Sequence, residues 1–125
     1  MALPASEAAP VESVESVESV EAELTGVEAQ ALAELFRMLG DPGRVRILFA
    51  LAEAGELRVG DICTAVSAPE SSVSHALRLL RTAGIVRNRR DGRNVYYGLD
   101  DAHVRLLLEL SREHLRHGDE PEARP

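Results

Sequence analysis

Three of the four histidines in this 125-residue chain lie close to its C-terminus, in a segment that begins with an aspartate. The pattern is Asp101-x-His103, then ten residues, then His114-x-x-His117. At about 3.6 residues per turn, His103 and His114 differ by roughly 20° around a helix, and His114 and His117 share a face. The three imidazoles therefore lie near one stripe of a helix predicted from Asp101 to His117. Imidazole and carboxylate groups clustered in this way are typical ligands of a transition metal.

A single copy of this helix is too long to gather the four groups around one ion. Eleven residues rise about 16 Å along a helix axis, whereas zinc holds its nitrogen ligands at about 2.0–2.1 Å. Two antiparallel copies solve the problem, because the Asp101/His103 end of one then meets the His114/His117 end of the other. Two-fold symmetry gives two equivalent sites per dimer. A metal site here therefore also predicts a homodimer.

The same segment has a simpler interpretation, in which its ligand-type residues are solvated neighbours of an apolar seam. The seam follows a helical spacing and needs a partner to cover it; its residues are Val104, Leu106, Leu107, Leu110 and Leu115. A third hypothesis, a small zinc hydrolase, is not favoured, because four protein ligands leave no open position for water. We therefore predict no catalytic residues and no small organic substrate.

The composition indicates one domain of modest size. The apolar fraction of 45% supports a hydrophobic core, to which dimerisation would add. No apolar run reaches 18 residues, and the N-terminus lacks the pattern of a secretory signal, so no membrane partner is expected. The lone Cys63 excludes an internal disulfide and is expected to be a buried structural thiol. Together these features predict a cytoplasmic protein.

The charge of the chain is divided unevenly along its length. The net charge is −7, but residues 1–30 hold seven glutamates and no basic residue, and residues 71–97 hold six arginines against one aspartate. The middle of the chain is therefore suited to bind phosphates. Residues 1–23, with three VES repeats, are predicted to be a disordered acidic tail, and 119–125 a second disordered tail. Residues 24–118 are predicted to form the DNA-binding and dimerisation domain.

The hydrophobic periodicity predicts four helices, then two strands, then the terminal helix. The helices are expected at Leu24 to Leu39, Pro42 to Ala54, Val59 to Val66 and Pro69 to about Ala83. Alternating residues predict strands at Ile85–Arg90 and Asn94–Leu99, joined by a turn at Asp91-Gly92. The predicted fold class is mainly α with a β-hairpin wing: a winged helix-turn-helix of order α-α-α-α-β-β-α that dimerises through its terminal helices.

In a helix-turn-helix the second helix enters the major groove of DNA with its N-terminal residues nearest the bases. The residues predicted to face operator DNA from this helix are Ser71, Ser72, Ser74, His75 and Arg78, and from the wing Arg89, Arg90 and Arg93. The alternative is a solvated polar helix beside an ordinary arginine-rich hairpin. The order of turn, hydroxyl-rich helix start and arginine wing favours a complex with double-stranded DNA.

The motifs ELFRMLGDPGRVRILFAL, ELRVGDICTAV and SSVSHALRLLRTAGIVRNRRDGRNVYYGL resemble the ArsR/SmtB family of metal-sensing repressors over about residues 28 to 118. The resemblance implies a dimeric winged-helix repressor that leaves its operator when its inducer binds. The family's thiol site needs cysteines in a stretch that here reads Glu56 to Asp61 without any. The resemblance instead implies the zinc- and cobalt-sensing branch, whose ligands match Asp101, His103, His114 and His117.

The donor set of three imidazoles and one carboxylate suits tetrahedral Zn(II) or Co(II). Ni(II) stays open as an alternative, because nickel sensors of this family recruit further donors and the acidic tail could lend a glutamate. A repressor of the same fold that senses a non-metal signal is the other alternative.

Overall fold

The computed structural model describes residues 23–118 and confirms the predicted winged helix-turn-helix. Its elements are α1 Gly26–Leu39, α2 Pro42–Ala54, α3 Val59–Val66, α4 Glu70–Thr82, β1 Val86–Asp91, β2 Asn94–Leu99 and α5 Ala102–Gly118. Apart from Glu23, both predicted tails lie outside the described residues. The chain divides into two compact units, the first ending at Leu35 and the second beginning at Phe36. Within the described range, no helix has the length and apolar character needed to cross a membrane.

Helix α1 begins two residues later than the apolar pattern predicts, because a capping box fixes its start. The Thr25 N–H donates to Glu28 Oε1 at 3.1 Å, and the Glu28 N–H donates back to Thr25 Oγ1 at 3.0 Å. The two side chains thus satisfy backbone donors that have no partner within the helix.

Helix α2 has the boundaries that its sequence predicts. Asp41 is the N-cap and accepts from the Arg44 N–H at 3.0 Å, and Pro42 occupies the first turn, where no donor is needed. The Arg44 side chain then donates backwards to the Met38 carbonyl at 2.8 Å, and so fastens the end of one helix to the start of the next. Gly55, at φ 90°, ends the helix in a conformation that favours glycine.

The core of the second unit is built from one apolar face of each element. Helix α2 packs on α3, α3 packs on α4, α4 packs on β1, and β2 contacts α2, α3 and α5. The fully or almost fully buried side chains are Ile47, Leu48, Leu51, Ala52, Ile62, Val66, Val73, Leu77, Leu80, Ile85, Val86, Leu99 and Leu108. Removing one such leucine side chain typically costs about 2–5 kcal/mol. This core fixes α4 and the hairpin in place.

The break between α3 and α4 is a tight three-residue turn. Ser67 takes the left-handed conformation at φ 55°, and the Ser67 and Ala68 N–H groups both donate to the Cys63 carbonyl. Pro69 then precedes the first turn of α4 as its N-cap, so α4 begins at Glu70 and not at the proline. The Cys63 side chain is only half-buried, so the expectation of a buried thiol was wrong.

The hairpin pairs in an antiparallel register from Val86 opposite Leu99 to Asp91 opposite Asn94. The turn therefore consists of Gly92-Arg93, one residue later than predicted, and Gly92 has the positive φ of 65° that a tight hairpin turn requires. Ile85 stays outside the ladder, because its N–H donates to the Leu80 carbonyl and its own carbonyl accepts from Asp100.

Candidate DNA-binding surface and metal-ligand helix

Helix α4 has a buried face and an opposite face that is open to solvent. Val73, Leu77 and Leu80 are buried against the core. Ser71, His75 and Arg78 lie about half a turn away from them and are all exposed. Ser71, His75 and Arg78 are therefore the residues of α4 that could reach the floor of a DNA groove. We call these three residues the reading face.

The two other predicted serines flank the reading face. Ser72 is exposed, whereas Ser74 is half-buried. Ser72 and Ser74 lie on opposite sides of α4, each roughly 100° from the buried Val73. The structure therefore places four of the five predicted α4 residues at the exposed surface and Ser74 at its edge.

The four arginines of the hairpin fall into two kinds. Arg90 and Arg93 are exposed, and neither has an ion-pair partner among residues 23–118. Arg87 and Arg89, in contrast, both bind the carboxylate of Glu56, at 2.9 Å and 2.7 Å. Of the three predicted DNA contacts on the wing, Arg90 and Arg93 are thus available to phosphates, whereas Arg89 already holds an anion.

No sequence pattern indicates Glu56 as part of this surface. The hydrogen bond from Arg89 and then that from Arg87 lower the pKa of its carboxyl from 4.5 to about 2. Glu56 precedes Arg87 and Arg89 by 31 and 33 residues. No local pattern reports a contact over that separation, and only the fold, which lays residues 56 and 57 beside β2, reveals it.

Helix α5 also has two faces. Its inner side packs on β2 with Leu108 buried, and Arg112 lies over the Phe49 ring at 5.4 Å from the ring centroid. Its outer side carries a run spaced by three, four, four and three residues, which places all its members on one face. The members are His103, Leu106, Leu110, His114 and His117, all exposed, and we call them the His/Leu stripe.

The start of α5 brings two of the predicted ligands close together. Asp101 Oδ1 accepts from the backbone N–H groups of His103 and Val104, at 2.9 Å and 3.1 Å, and so caps the helix. The second oxygen, Oδ2, lies 3.8 Å from His103 Nδ1. The His103 side chain is 94% exposed, so its imidazole is open to an incoming group.

Within one chain the four predicted ligands do not converge. Among the described residues, no group of three or more histidine, cysteine, aspartate or glutamate side chains is arranged to hold a metal ion. Asp101 and His103 lie at the first turn of α5, and His114 and His117 lie at its last turns. The fit of a metal therefore depends on whether a second copy supplies the missing half, which the outward position of the stripe permits.

Comparison with known proteins gives consistent results. A family model described as "Bacterial regulatory protein, arsR family" matches residues 41–88. The chain is 48% identical over 92 residues to the transcriptional repressor SmtB homolog of Synechocystis sp.. The aligned segment covers 74% of this chain and 69% of that protein. It is 41% identical over 85 residues to the cadmium resistance transcriptional regulatory protein CadC homolog of Staphylococcus aureus, over 68% and 70% of the two chains. The crystal structure of the AntR antimony-specific transcriptional repressor matches with a TM-score of 0.71 and 31% identity, over 87% of this chain and 98% of that chain.

Proposed function

This chain belongs to the ArsR family of bacterial regulatory proteins, and from that premise we propose that it is a homodimeric repressor released from operator DNA by Zn(II) or Co(II) bound between its subunits. At the level of the family it is a metal-responsive, DNA-binding transcriptional repressor with a winged helix-turn-helix, and it is not an enzyme.

The His/Leu stripe is the observation that carries the proposal. Leu106 and Leu110 are 52% and 55% exposed, although they are large apolar side chains in the middle of a well-formed helix. An antiparallel second copy of α5 would cover them and would remove their apolar surface from water. Because the histidines share the same face, the covering helix would bring its own His114 and His117 toward Asp101 and His103. One contact would thus bury the leucines and complete two metal sites.

The donor chemistry supports Zn(II) or Co(II) over softer metals. Three imidazole nitrogens and a carboxylate oxygen form a closed four-donor set, which suits tetrahedral coordination. Two of the relatives carry other specificities in their names, cadmium and antimony. Softer metals of that kind favour thiolates, but positions 58–60 of this chain read Arg-Val-Gly, and the only thiol, Cys63, is half-buried on α3. Ni(II) remains the alternative if a further donor joins the set.

The release of DNA would come from the connection between α5 and the wing. Two residues, Asp100 and Asp101, separate the end of β2 from the start of α5, and α5 packs against that strand. The proposed ligands are on α5, whereas the proposed reading residues are on α4 and the hairpin, so metal would not compete directly for the DNA surface. Joining both ends of the paired α5 helices would instead restrict the spacing between the two reading faces of the dimer. A palindromic operator requires that spacing to match one helical turn of DNA.

The test measures binding to a duplex taken from upstream of the protein's own gene, with and without Zn(II), Co(II), Ni(II) and Cd(II). We expect Zn(II) and Co(II) to weaken DNA binding in the wild-type protein. The variant His103→Ala/His114→Ala should bind the duplex normally but lose the response. Cys63→Ser is the matched control and should respond like the wild type. A double variant that still releases DNA with Zn(II) would disprove the ligand assignment.

A second candidate is a repressor of the same fold that answers to another signal. The N-cap role of Asp101 favours it, because the two backbone bonds to Oδ1 explain this aspartate without any metal. In that case purified protein would bind no stoichiometric Zn(II), whereas the proposed sensor binds two ions per dimer.

A further inference from the structure

The face of the hairpin that carries Arg87 and Arg89 is different from the face that carries Arg90. Side chains alternate along a strand, so residues 87 and 89 lie on one side of β1 and residue 90 on the other. The register places Arg87 opposite Gly98 and Arg89 opposite Tyr96. The two arginines therefore meet whatever lies over this end of β2.

Gly98 leaves room for the Arg87 side chain to cross β2. A Cβ atom at position 98 would lie 2.9 Å from the Gly55 carbonyl oxygen, and 3.3 Å and 3.4 Å from Nη2 and Cζ of Arg87. Glycine is therefore required by a close approach of backbone on one side and a guanidinium on the other. Beside it, the Arg89 guanidinium lies over the Tyr96 ring, 4.8 Å from the centroid.

The carboxylate that receives both arginines is fixed by the backbone. Leu57 forms a two-way bridge with Tyr97, with N–H to carbonyl distances of 2.9 Å and 2.8 Å. Glu56 is the preceding residue, so the bridge holds it at the edge of β2. Its side chain is 26% exposed, whereas the side chains of Arg87 and Arg89 are 44% and 50% exposed.

The contacts of Glu56 use both of its oxygens. Oε1 accepts from Arg89 Nη2 at 2.7 Å and from Arg89 Nε at 3.2 Å, and Oε2 accepts from Arg87 Nη1 at 2.9 Å and from Arg89 Nε at 3.2 Å. Such forked contacts to an anion are also the way in which arginine binds a phosphate. We call these three residues the Glu56 clamp.

We propose that the Glu56 clamp withholds Arg87 and Arg89 from DNA, with the Glu56 carboxylate in the place of a backbone phosphate. The wing then contacts DNA through Arg90 and Arg93 alone. This inference rests on the proposed role of the wing in DNA binding. Its consequence is weaker binding to DNA of any sequence: contacts to phosphates strengthen binding to every sequence equally, so two fewer of them lower affinity for random and operator DNA alike without loss of base contacts.

At neutral pH all three side chains of the clamp are charged. Two positive charges face one negative charge, both carboxylate oxygens are used, and Glu56 stays ionised because its pKa is held at about 2. Salt alone would weaken the clamp and the DNA contacts together, and so would not separate them. A change of residue 56 releases the arginines at constant ionic strength and pH.

The experiment compares Glu56→Gln with the wild type for binding to a random-sequence duplex over a series of salt concentrations. Each phosphate contact contributes about 0.9 to the slope of log K against log salt. We expect the variant to steepen that slope by roughly 1 to 2 and to bind random DNA about tenfold more tightly near 0.1 M salt. Glu109→Gln on α5 makes the same change of net charge away from the wing, and it should leave the slope unchanged.

Two further variants distinguish the possible failures. Arg87→Gln/Arg89→Gln, with Glu56 intact, should not reduce the wild-type slope, because these arginines do not reach DNA. A slope lower by about 2 in that variant, or an unchanged slope in Glu56→Gln, would overturn the proposal. Arg93→Ala tests the wing itself and should flatten the slope by about 1. If Arg93→Ala has no effect while the α4 variant Arg78→Ala still weakens binding, the assigned role of the wing fails and not the clamp alone.

Discussion

Leu108 and Leu110 are separated by one residue on α5, yet Leu108 is 5% exposed and Leu110 is 55% exposed. They point to sides of the helix about 200° apart. The inner side belongs to the core of the chain, and the outer side is the His/Leu stripe. Each side therefore predicts a different consequence when its leucine is removed.

We expect Leu108→Ala to lower the free energy of unfolding by about 2–5 kcal/mol, because it leaves a cavity in the core. Leu110→Ser should instead raise the dissociation constant of the homodimer, since its side chain would be covered only by a second copy. Denaturation and analytical ultracentrifugation, both over a range of protein concentrations, separate the two effects. A Leu110→Ser dimer as tight as the wild type would contradict the proposed interface.

The proposed sharing of metal ligands between subunits predicts the behaviour of a mixed dimer. A His103→Ala subunit paired with a His114→Ala subunit retains one complete site and loses two ligands from the other. We expect one Zn(II) ion per mixed dimer at wild-type affinity, measured by competition with a chromophoric chelator. Each parent homodimer lacks one ligand in both sites and should bind weakly. If ligands came from a single chain, no mixed dimer would retain a high-affinity site.

Asp101 is the N-cap of α5 and also a proposed metal ligand, and two substitutions can separate these roles. Asn is about as good an N-cap as Asp, whereas Ala loses the cap at a cost of about 0.5–2 kcal/mol. Asp101→Asn should therefore keep the stability of the metal-free protein but lose Zn(II) affinity, because a charged donor is removed. Asp101→Ala should lose both. Thermal melts and metal titrations of the two variants check this, and an Asn variant with full Zn(II) affinity would remove Asp101 from the ligand set.

The sequence predicts elements best where their ends are set by local chemistry. Helix α2 begins with Asp41-Pro42 and ends at Gly55, and its predicted and observed boundaries agree. The hairpin turn was placed one residue early, because the Asp-Gly pair is a strong turn signal but the register pairs Asp91 with Asn94. The sequence does not predict the Glu56 clamp, because the clamp forms only when the fold brings together residues far apart in the chain.

In the candidate site, too, some features follow from local sequence and others depend on tertiary packing. Helical spacing alone places His103, His114 and His117 on one stripe, and the structure adds that this stripe faces away from the core. The half-buried position of Ser74, in contrast, depends on how closely α4 packs against its neighbours. Spacing predicts which residues share a face, but packing decides how wide the exposed part of that face is.

Glu56 predicts a specific effect of acid on stability. Its pKa is about 2 in the folded protein, against 4.5 without its partners, so the ionised carboxylate favours the folded state. That contribution is complete above about pH 4.5 and is lost as the pH falls through about 2. We expect the stability advantage of wild type over Glu56→Gln to shrink across this range and to stay constant above it, with a small amplitude because the group faces solvent.

Urea denaturation of both proteins between pH 2 and pH 7 measures this effect. Glu109→Gln is a suitable control, because the 3.9 Å pair between Glu109 and Arg105 is a surface contact of the kind that contributes little. A difference between wild type and Glu56→Gln that does not change with pH would show that the clamp does not stabilise the folded chain through the charge of Glu56.

The coupling between metal binding and DNA binding must be reciprocal, and this reciprocity tests the proposed sensor directly. If Zn(II) weakens operator binding by some factor, operator DNA must weaken Zn(II) binding by the same factor. Typical couplings of about 1–3 kcal/mol correspond to roughly 5–150-fold. We expect a saturating operator duplex to lower the Zn(II) affinity by a factor within that range. A random duplex at the same concentration should lower it less. Because only two residues join β2 to α5, deletion of Asp100 should change the coupling free energy more than it changes the affinity for Zn(II) alone or for DNA alone. If the dimer binds two Zn(II) ions with the same affinity in the presence and absence of operator, the metal is structural and the repressor answers to a different signal.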